Sequence, residues 1–202
     1  MKHLDLFSGI GGFALAAAWA GFETIGFAEV DPFCSQVLHK HWPHVRNFGD
    51  VKTISAMENI TLITGGFPCQ PFSSAGKRKG REDDRHLWPE FNRIIHAIKP
   101  TWVVAENVTG IIDLELDNVL DDLETAGYET GTYIIPASAI GAPHRRERVW
   151  IVAHFLCERC DIRMYPGKER DIYFHGQRDI KTTKSRWADI FPESWATFNL
   201  KE

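Results

Sequence analysis

The chain has 202 residues, of which 44% are hydrophobic, enough to bury one substantial core and to form one domain with a short appendage. Its formal net charge of -4 argues against a protein that binds nucleic acids through its overall charge. It has no run of about 18 apolar residues and begins without the apolar stretch of a signal peptide, so no membrane partner is expected. Four cysteines are too few for a disulfide framework in a chain of this length, which favours a reducing, cytoplasmic compartment.

The first part of the chain alternates strands, glycine turns and helices. Residues 3–7 predict a strand, residues 8–12 a glycine-rich turn, and residues 13–20 an alanine-rich helix that ends at Gly21. A second strand, 24–28, is followed by Glu29, about 20 residues beyond the turn, where a carboxylate would bind a ribose hydroxyl. A helix over 32–41 and a short third strand within 45–51, with Asp50 near its end, come next.

The same alternation continues to about residue 155. Residues 73–85 have no apolar periodicity and predict a long functional loop. The remaining elements are a strand over 62–64, a helix over 87–98 stopped by Pro100, a strand over 102–105, a helix over 116–123 closed by Gly127, and strands over 128–136 and 148–155.

This order of elements predicts an α/β fold with a doubly wound, mostly parallel, Rossmann-like sheet and an antiparallel hairpin edge. Residues 1–153 form the domain, and residues 154–202 form a short tail. The unusual residues of the chain are expected at the carboxyl ends of the strands, where such sheets bind ligands. They are the glycine turn, Glu29, Asp50, Cys69 and Glu106.

The most unusual stretch of the sequence is Gly65-Gly66-Phe67-Pro68-Cys69-Gln70-Pro71-Phe72-Ser73-Ser74. Its glycines permit a sharp turn or a close approach to a ligand. Its two prolines fix φ, so Cys69 lies in a stiff, non-helical turn after a strand. A lone cysteine is also compatible with an ordinary small buried hydrophobe.

Four motifs, in order, make the sequence resemble the carbon-5 DNA cytosine methyltransferases of bacteria and phages. They are Asp5-Leu6-Phe7-Ser8-Gly9-Ile10-Gly11-Gly12, Gly66-Phe67-Pro68-Cys69-Gln70, Glu106-Asn107-Val108 and Arg146-Glu147-Arg148. The resemblance covers residues 1 to about 153. It implies a methyltransferase-type Rossmann-like fold and methyl transfer to carbon 5 of cytosine in DNA.

The resemblance implies a role for each residue of the reaction. Cys69 is the nucleophile that adds to carbon 6 of the base and needs a lowered pKa. Glu106 supplies or shares a proton at ring nitrogen 3, and Asn107 supports Glu106 from behind. Arg146 and Arg148 hold the base carbonyl and provide positive charge near the thiolate.

The methyl donor implied by the resemblance is S-adenosylmethionine, with no catalytic metal. Glu29 binds both ribose hydroxyls and Asp50 the adenine amino group. The other residues of the expected donor site are Phe7, Ser8, Gly9, Gly11, Gly12, Pro68 and Leu87.

The expected partner is double-stranded DNA, from which the target cytosine must be flipped out of the stack. In the family, the segment 73–85 closes over the DNA, and its Lys77, Arg78, Lys79 and Arg81 suit phosphate contacts. The alternative is that these side chains form ordinary solvated surface.

The sequence departs from the family in two places. His144 stands where the arginine motif normally begins with Gln. Residues 154–202 contain neither a recognisable target-recognition domain nor the Gly-Asn-Ser segment of the last motif, so the sheet face beside the donor site should leave apolar surface exposed. A second polypeptide that supplies both is a possible partner.

The tail also contains His154-x-x-Cys157-x-x-Cys160, which is half of a zinc site. Only His175 lies downstream as a further ligand, so a remnant of a recognition region is favoured. Two other functions remain open for the whole chain: a catalytically silent donor- or DNA-binding remnant, and methylation of cytosine in tRNA.

Overall fold

The computed structural model of the protein describes residues 1–68, 86–155 and the backbone of 172–174. Eight strands in these residues form one sheet in the order β3-β2-β1-β4-β5-β7-β6-β8. The strands are β1 (Lys2–Leu6), β2 (Glu23–Ala28), β3 (Arg46–Asn47), β4 (Ile60–Gly65), β5 (Trp102–Val108), β6 (Tyr128–Pro136), β7 (Glu147–Phe155) and β8 (Ile172–Phe174), and the helices are α1 (Gly12–Trp19), α2 (Pro32–His41), α3 (Trp88–Ile98) and α4 (Leu116–Thr125).

The first five strands run parallel, so their carboxyl ends meet at one edge of the sheet. β7 is antiparallel to both β5 and β6, which confirms the doubly wound sheet with an antiparallel hairpin. Local signals explain the helix bounds: Gly21, with φ 80°, follows α1, and the Asp31 side chain accepts a hydrogen bond from the Cys34 amide at the start of α2.

Three elements differ from the sequence prediction. β3 has only two residues, because Gly49 turns the chain with φ 74° and Asp50 caps a 3-10 helix over Val51–Thr53. β5 continues to Val108, because pairing with β7 extends the ladder through Glu106 and Asn107. β8 was not predicted, and it pairs in parallel with the outer strand of the hairpin.

The two faces of the sheet are covered unequally. On one face, α3 and α4 pack against side chains such as Val103 and Ile151, which are fully buried in the main core. On the other face, α1 and α2 cover only the β1–β2 end, where Ala14, Phe27 and Leu38 form a smaller core. Beyond them lies an open groove of about 790 Å³ between α1 and the middle of the sheet, lined mainly by Phe13, Leu62, Trp102, Val104, Tyr133, Trp150 and Val152.

Candidate active site

The turn after β1 has the geometry of a ligand cradle. Phe7, Gly9 and Gly11 all have positive φ values, of 53°, 53° and 89°. A Cβ atom on Gly11 would lie 2.6 Å from the Trp42 ring, so this position requires glycine. Gly9 and Gly12 have open space where a side chain would begin, so a ligand can approach the backbone there.

Ser8 fixes this turn to the sheet. It is buried, its hydroxyl donates to the Asp5 carbonyl at 2.7 Å, and the Ser8 Oγ accepts a hydrogen bond from the Ala28 amide at 3.3 Å. The Ser8 amide also donates to the Ala28 carbonyl. The structure therefore gives the Ser8 side chain a role within the turn.

Glu29 lies directly beside the glycine turn. Its Oε2 accepts a hydrogen bond from the Gly9 amide at 2.7 Å, and its Oε1 accepts one from the Asp31 amide at 2.8 Å. The side chain of Asn47 holds the Glu29 backbone through Oδ1 and Nδ2, both at 3.0 Å. Asn47 was not predicted as a site residue. The available signal was a polar residue at the end of β3, the strand that pairs with β2 just before Glu29.

The other expected donor residues lie around the same edge. Asp50 is exposed and its Oδ1 accepts a hydrogen bond from the Lys52 amide at 2.9 Å. Leu87 and Pro68 are half-buried, and Leu87 immediately precedes α3. Aromatic contacts of Phe91 in α3 with Phe7 and Phe67, both with ring centroids 6.0 Å apart, join the glycine turn to the segment before Cys69.

Glu106 and Arg148 form an ion pair across β5 and β7. The Arg148 Nε lies 2.8 Å from the Glu106 Oε1, and the Glu106 side chain is 26% exposed. Partial burial raises the pKa of Glu106, while the charges of Arg148 and Arg146 oppose that shift. A Cβ atom on Gly66 would lie 3.2 Å from the Glu106 Oε2, so the carboxylate faces the backbone of the turn that leads to Cys69.

Asn107 supports that turn from the opposite face of β5. It is buried, its Nδ2 donates to the Phe67 carbonyl at 3.0 Å, and its Oδ1 accepts from the Val108 amide at 2.9 Å. These bonds fix the backbone two residues before Cys69. Within the described residues, the side chain of Asn107 therefore acts on the turn, and its hydrogen bonds go to Phe67 and Val108 instead of Glu106.

Arg146 is exposed and has φ 37°, an uncommon conformation for a residue with a side chain. The carbonyls of Arg145 and Arg146 both accept hydrogen bonds from the Ala137 amide, which fixes the bend before β7. His144, which departs from the family motif, is exposed in the same bend.

Several expected residues lie outside the described part of the chain. They are Cys69, the basic residues of 73–85, Cys157, Cys160 and His175. His154 is described: it is buried and its ring packs against that of Trp102 at a tilt of 48°, with centroids 4.2 Å apart, and burial lowers its pKa. Residues 1–68 and 86–155 contain no cluster of three or more potential metal ligands, and none of their helices is long and apolar enough to cross a membrane.

The parallel sheet with its antiparallel hairpin is the Rossmann-like fold of S-adenosylmethionine-dependent methyltransferases, and the glycine turn and Glu29 lie at the edge where such sheets bind ligands. Comparison with known proteins identifies the branch. The sequence profile of the C-5 cytosine-specific DNA methylases matches residues 1–196. The chain belongs to this family, which confirms the resemblance.

Three similar proteins illustrate the relationship. Type II methyltransferase M.HgiCII of Herpetosiphon aurantiacus is 35% identical over 75% of this chain and 36% of its own length. Orphan methyltransferase M.SPRI of Bacillus phage SPR is 32% identical over 100% of this chain and 49% of its own length. A putative DNA modification methyltransferase from an Escherichia coli prophage has a TM-score of 0.68 and 28% identity, covering 85% of this chain and 52% of its own. The chain therefore spans half or less of the length of these two curated relatives.

Proposed function

We propose that this chain carries the catalytic half of an enzyme that transfers a methyl group from S-adenosylmethionine to carbon 5 of cytosine in DNA. The main observation that supports this proposal is the Glu106–Arg148 ion pair, 2.8 Å long, which faces the Gly66 backbone of the turn leading to Cys69. An acid that can hold a proton and a fixed cation thereby lie beside the turn that precedes the candidate nucleophile in the sequence. Family membership supports the same chemistry.

The described residues fit the methyl donor. The open space at Gly9 and Gly12 admits a ligand against the backbone, and Glu29 is held beside Gly9 by two amide hydrogen bonds. We assign the ribose to Glu29, the adenine to Asp50 and the remaining contacts to the glycine turn, Pro68 and Leu87. When bound, S-adenosylmethionine supplies an electrophilic methyl group on a sulfonium ion, which becomes a neutral thioether.

The residues of this chain prepare the base for methylation. The Cys69 thiolate forms a bond to carbon 6, and the displaced electron pair moves into the ring. Glu106 holds a proton at nitrogen 3, which limits the negative charge and makes carbon 5 nucleophilic. After methylation, loss of the carbon 5 proton to water and breakage of the sulfur–carbon 6 bond restore the aromatic ring and the thiolate.

Arg148 and Asn107 position these groups. Arg148 anchors the carboxylate of Glu106 on the groove side of β5. Asn107 anchors the Phe67 carbonyl on the opposite side, two residues before Cys69 in the sequence. Pro68, whose ring fixes φ, then limits the backbone freedom between this anchored carbonyl and the cysteine that follows.

The DNA partner is assigned to the segment 73–85, whose basic residues would contact phosphates while the cytosine is flipped into the site. A bacterial or phage-encoded enzyme acting on DNA in the cytoplasm is consistent with the named relatives. Phosphate contacts of this kind alone give affinities of about 10⁻⁴–10⁻⁶ M without sequence preference.

We further infer that another protein segment covers the open groove beside α1. A doubly wound sheet is stable when helices cover both faces, yet Trp102, Trp150 and Tyr133 line an uncovered one. The segment belongs to a second polypeptide or to another part of the same enzyme, and would accompany the target-recognition domain. Addition of the C-terminal half of M.HgiCII should then raise turnover. Robust, site-specific methylation by the 202-residue chain alone would contradict this inference.

A covalent trap tests the chemistry. DNA that contains 5-fluorocytosine blocks the final proton loss, so with donor present the enzyme should remain attached to DNA after denaturation. Cys69→Ser should abolish the adduct. Cys34→Ser is the matched control, because Cys34 lies in α2 and its pKa is raised by burial and by Asp31.

The trap also separates the alternatives. A silent remnant would give no adduct with or without the added C-terminal half. A tRNA enzyme would trap 5-fluorocytosine in tRNA and leave DNA free. A Cys69→Ser variant that still traps DNA would overturn the assignment of the nucleophile.

A further inference from the structure

A chain of buried polar side chains crosses three strands beneath α1. His3 and Asp5 of β1 are both 0% exposed, and Thr24 and Thr64 lie beside them on β2 and β4. The Thr24 Oγ1 lies 2.9 Å from the His3 Nδ1, the His3 Nε2 lies 2.8 Å from the Thr64 Oγ1, and the Thr64 hydroxyl donates to the Asp5 Oδ1 at 2.8 Å. Burying polar groups costs free energy unless they are hydrogen-bonded, and these three hydrogen bonds offset that cost for all but the second carboxylate oxygen of Asp5.

In this row of side chains, Thr24, His3 and Thr64 each donate a hydrogen bond to the next member, and Asp5 is the last acceptor. The Thr64 hydroxyl has one proton and donates it to Asp5, so it accepts from the His3 Nε2–H. The other ring nitrogen of His3 is then unprotonated and accepts from Thr24. Burial lowers the pKa of His3 to about 4, which keeps this ring neutral near pH 7.

Asp5 is therefore an acceptor that faces the start of α1. Its Oδ2 is buried and makes no ordinary hydrogen bond within the described residues. The backbone amide of Ala14, in the first turn of α1, nevertheless stabilises the ionised carboxylate. Asp5 thus lies between the helix that follows Gly9–Gly12 and the strand that precedes Cys69.

We propose that Asp5 is a positioning residue for the methyl-donor site, holding the first turn of α1 and its glycine turn against β4 through its ionised carboxylate. This proposal rests on the proposed function for its ligand. Thr64 acts through Asp5, and neither residue is assigned a contact with the donor.

The charge state of Asp5 makes this role dependent on pH. Burial raises the pKa of Asp5 to about 7, and the nearby charge of Glu29 adds to the shift, while Thr64 and Ala14 oppose it. Neither α1 nor β4 contains a titratable side chain, Glu23 of β2 is exposed at the opposite end of its strand, and His3 stays neutral. Among the groups on these elements and the residue that follows β2, the charge that raises the pKa of Asp5 is therefore that of Glu29. Donor affinity should fall as the pH drops through about 7 and Asp5 takes up a proton.

Stability should change in the opposite direction. The folded-state pKa of Asp5 is raised above its ordinary value of 3.8, so its contribution to stability is fully present below that value. The contribution is lost as the pH rises through about 7. At low pH the protonated Asp5 should therefore make the protein more stable and the donor affinity lower. A residue with only a structural role would not produce these opposite trends.

Calorimetry of S-adenosylmethionine and of its product S-adenosylhomocysteine, at pH 6 and pH 8, tests the proposal. Wild-type affinity should be about tenfold lower at pH 6 than at pH 8, which is the ratio of the ionised fractions of Asp5 expected for a pKa near 7. Asp5→Asn should bind both ligands weakly at both pH values. Thr64→Val should weaken both ligands, and Thr64→Ser, which keeps the hydroxyl, should behave like wild type.

Two results would overturn the proposal: wild-type affinity that is flat between pH 6 and pH 8, or folded Asp5→Asn with wild-type affinity. An effect on S-adenosylmethionine alone would also overturn it, because attraction to the sulfonium charge would then replace positioning. If Asp5→Asn fails to fold, the wild-type pH profile and Thr64→Val decide.

Hydrogen exchange without ligand keeps this proposal distinct from the proposed function. At one fixed pH, the amides of 12–16 should exchange several-fold faster in Thr64→Val than in Thr64→Ser. If the wild type binds neither ligand but this difference is present, the proposed function fails and the positioning role stands. Equal exchange in the two variants would overturn the positioning role.

Discussion

The two faces of the central strands differ in how far they are buried by other elements. Along β5 and β7, alternate residues such as Val103 and Ile151 are 1% and 0% exposed beneath α3 and α4. Their neighbours Trp102 and Val152 line the open groove on the other face. The same strands thus form a buried core on one side and an exposed apolar surface on the other. The candidate site residues of β5 are divided between the two faces, since Glu106 faces the groove and Asn107 the core.

The largest expected effect is a loss of turnover caused by a change on the groove face. Glu106→Gln should lower methyl-transfer turnover about 10²–10⁴-fold, the range for loss of a general acid, while the free energy of unfolding changes by less than about 1 kcal/mol. The measurement is turnover and chemical denaturation of the complete enzyme, with exposed Glu58→Gln as control. Because burial raises the pKa of Glu106, wild-type activity should fall as the pH rises through that raised value.

The second effect compares adjacent residues on the two faces. Ile151→Ala removes a fully buried side chain and should lower the free energy of unfolding by about 2–5 kcal/mol. Val152→Ala, in the groove, should cost less than about 1 kcal/mol in this chain, since its side chain is already partly exposed. Equal losses in urea denaturation would mean that the groove face is already covered.

Asn107 sharpens the comparison at the edge of the sheet. Asn107→Ala leaves the buried Phe67 carbonyl without its partner and should destabilise the protein by about 1–3 kcal/mol. Turnover should fall as well, because the turn before Cys69 is released. A variant with normal stability and normal 5-fluorocytosine trapping would show that this hydrogen bond does not position the cysteine.

The smallest effects are expected for the donor-site carboxylates. Glu29→Ala and Asp50→Ala should each weaken S-adenosylmethionine binding by about 1–3 kcal/mol, the scale of a charge-assisted hydrogen bond. Glu29 should lie at the upper end, since its carboxylate also holds the Gly9 amide, whereas Asp50 is exposed. Calorimetry that finds unchanged affinity in both variants would remove them from the donor site.

The sequence predicted the elements that carry strong local signals. Gly21 ended α1 and Pro32 began α2 as expected, because positive φ and a fixed φ are properties of single residues. The extension of β5 and the existence of β8 depend on pairing with distant strands, which local patterns do not contain. The polar chain from His3 to Asp5 was missed for the same reason: its partners Thr24 and Thr64 lie on other strands.

Family motifs predicted the residues of the candidate site, but they did not predict which neighbouring groups hold those residues in place. Glu29 and Glu106 lie at the expected edge, whereas the support given by Asn47 to Glu29 and by Asn107 to Phe67 emerges only from the structure. Amides of this kind carry no charge signal in the sequence, and their partners are backbone atoms. Because almost every residue type can supply a backbone carbonyl or amide, the hydrogen bonds from Asn47 and Asn107 correspond to no recognisable sequence pattern.

The position of β7 has a consequence for the order in which the protein folds during synthesis. β6 leaves the ribosome first, yet it reaches the rest of the sheet only through β7, which is made later and inserts between β5 and β6. A nascent chain that stops before Glu147 therefore presents β5 as an unpaired edge strand, a state prone to wrong pairing. Closure of the sheet must wait until Phe155 has emerged, so the acid of β5 and its arginine partner on β7 meet in one of the last folding events of the domain.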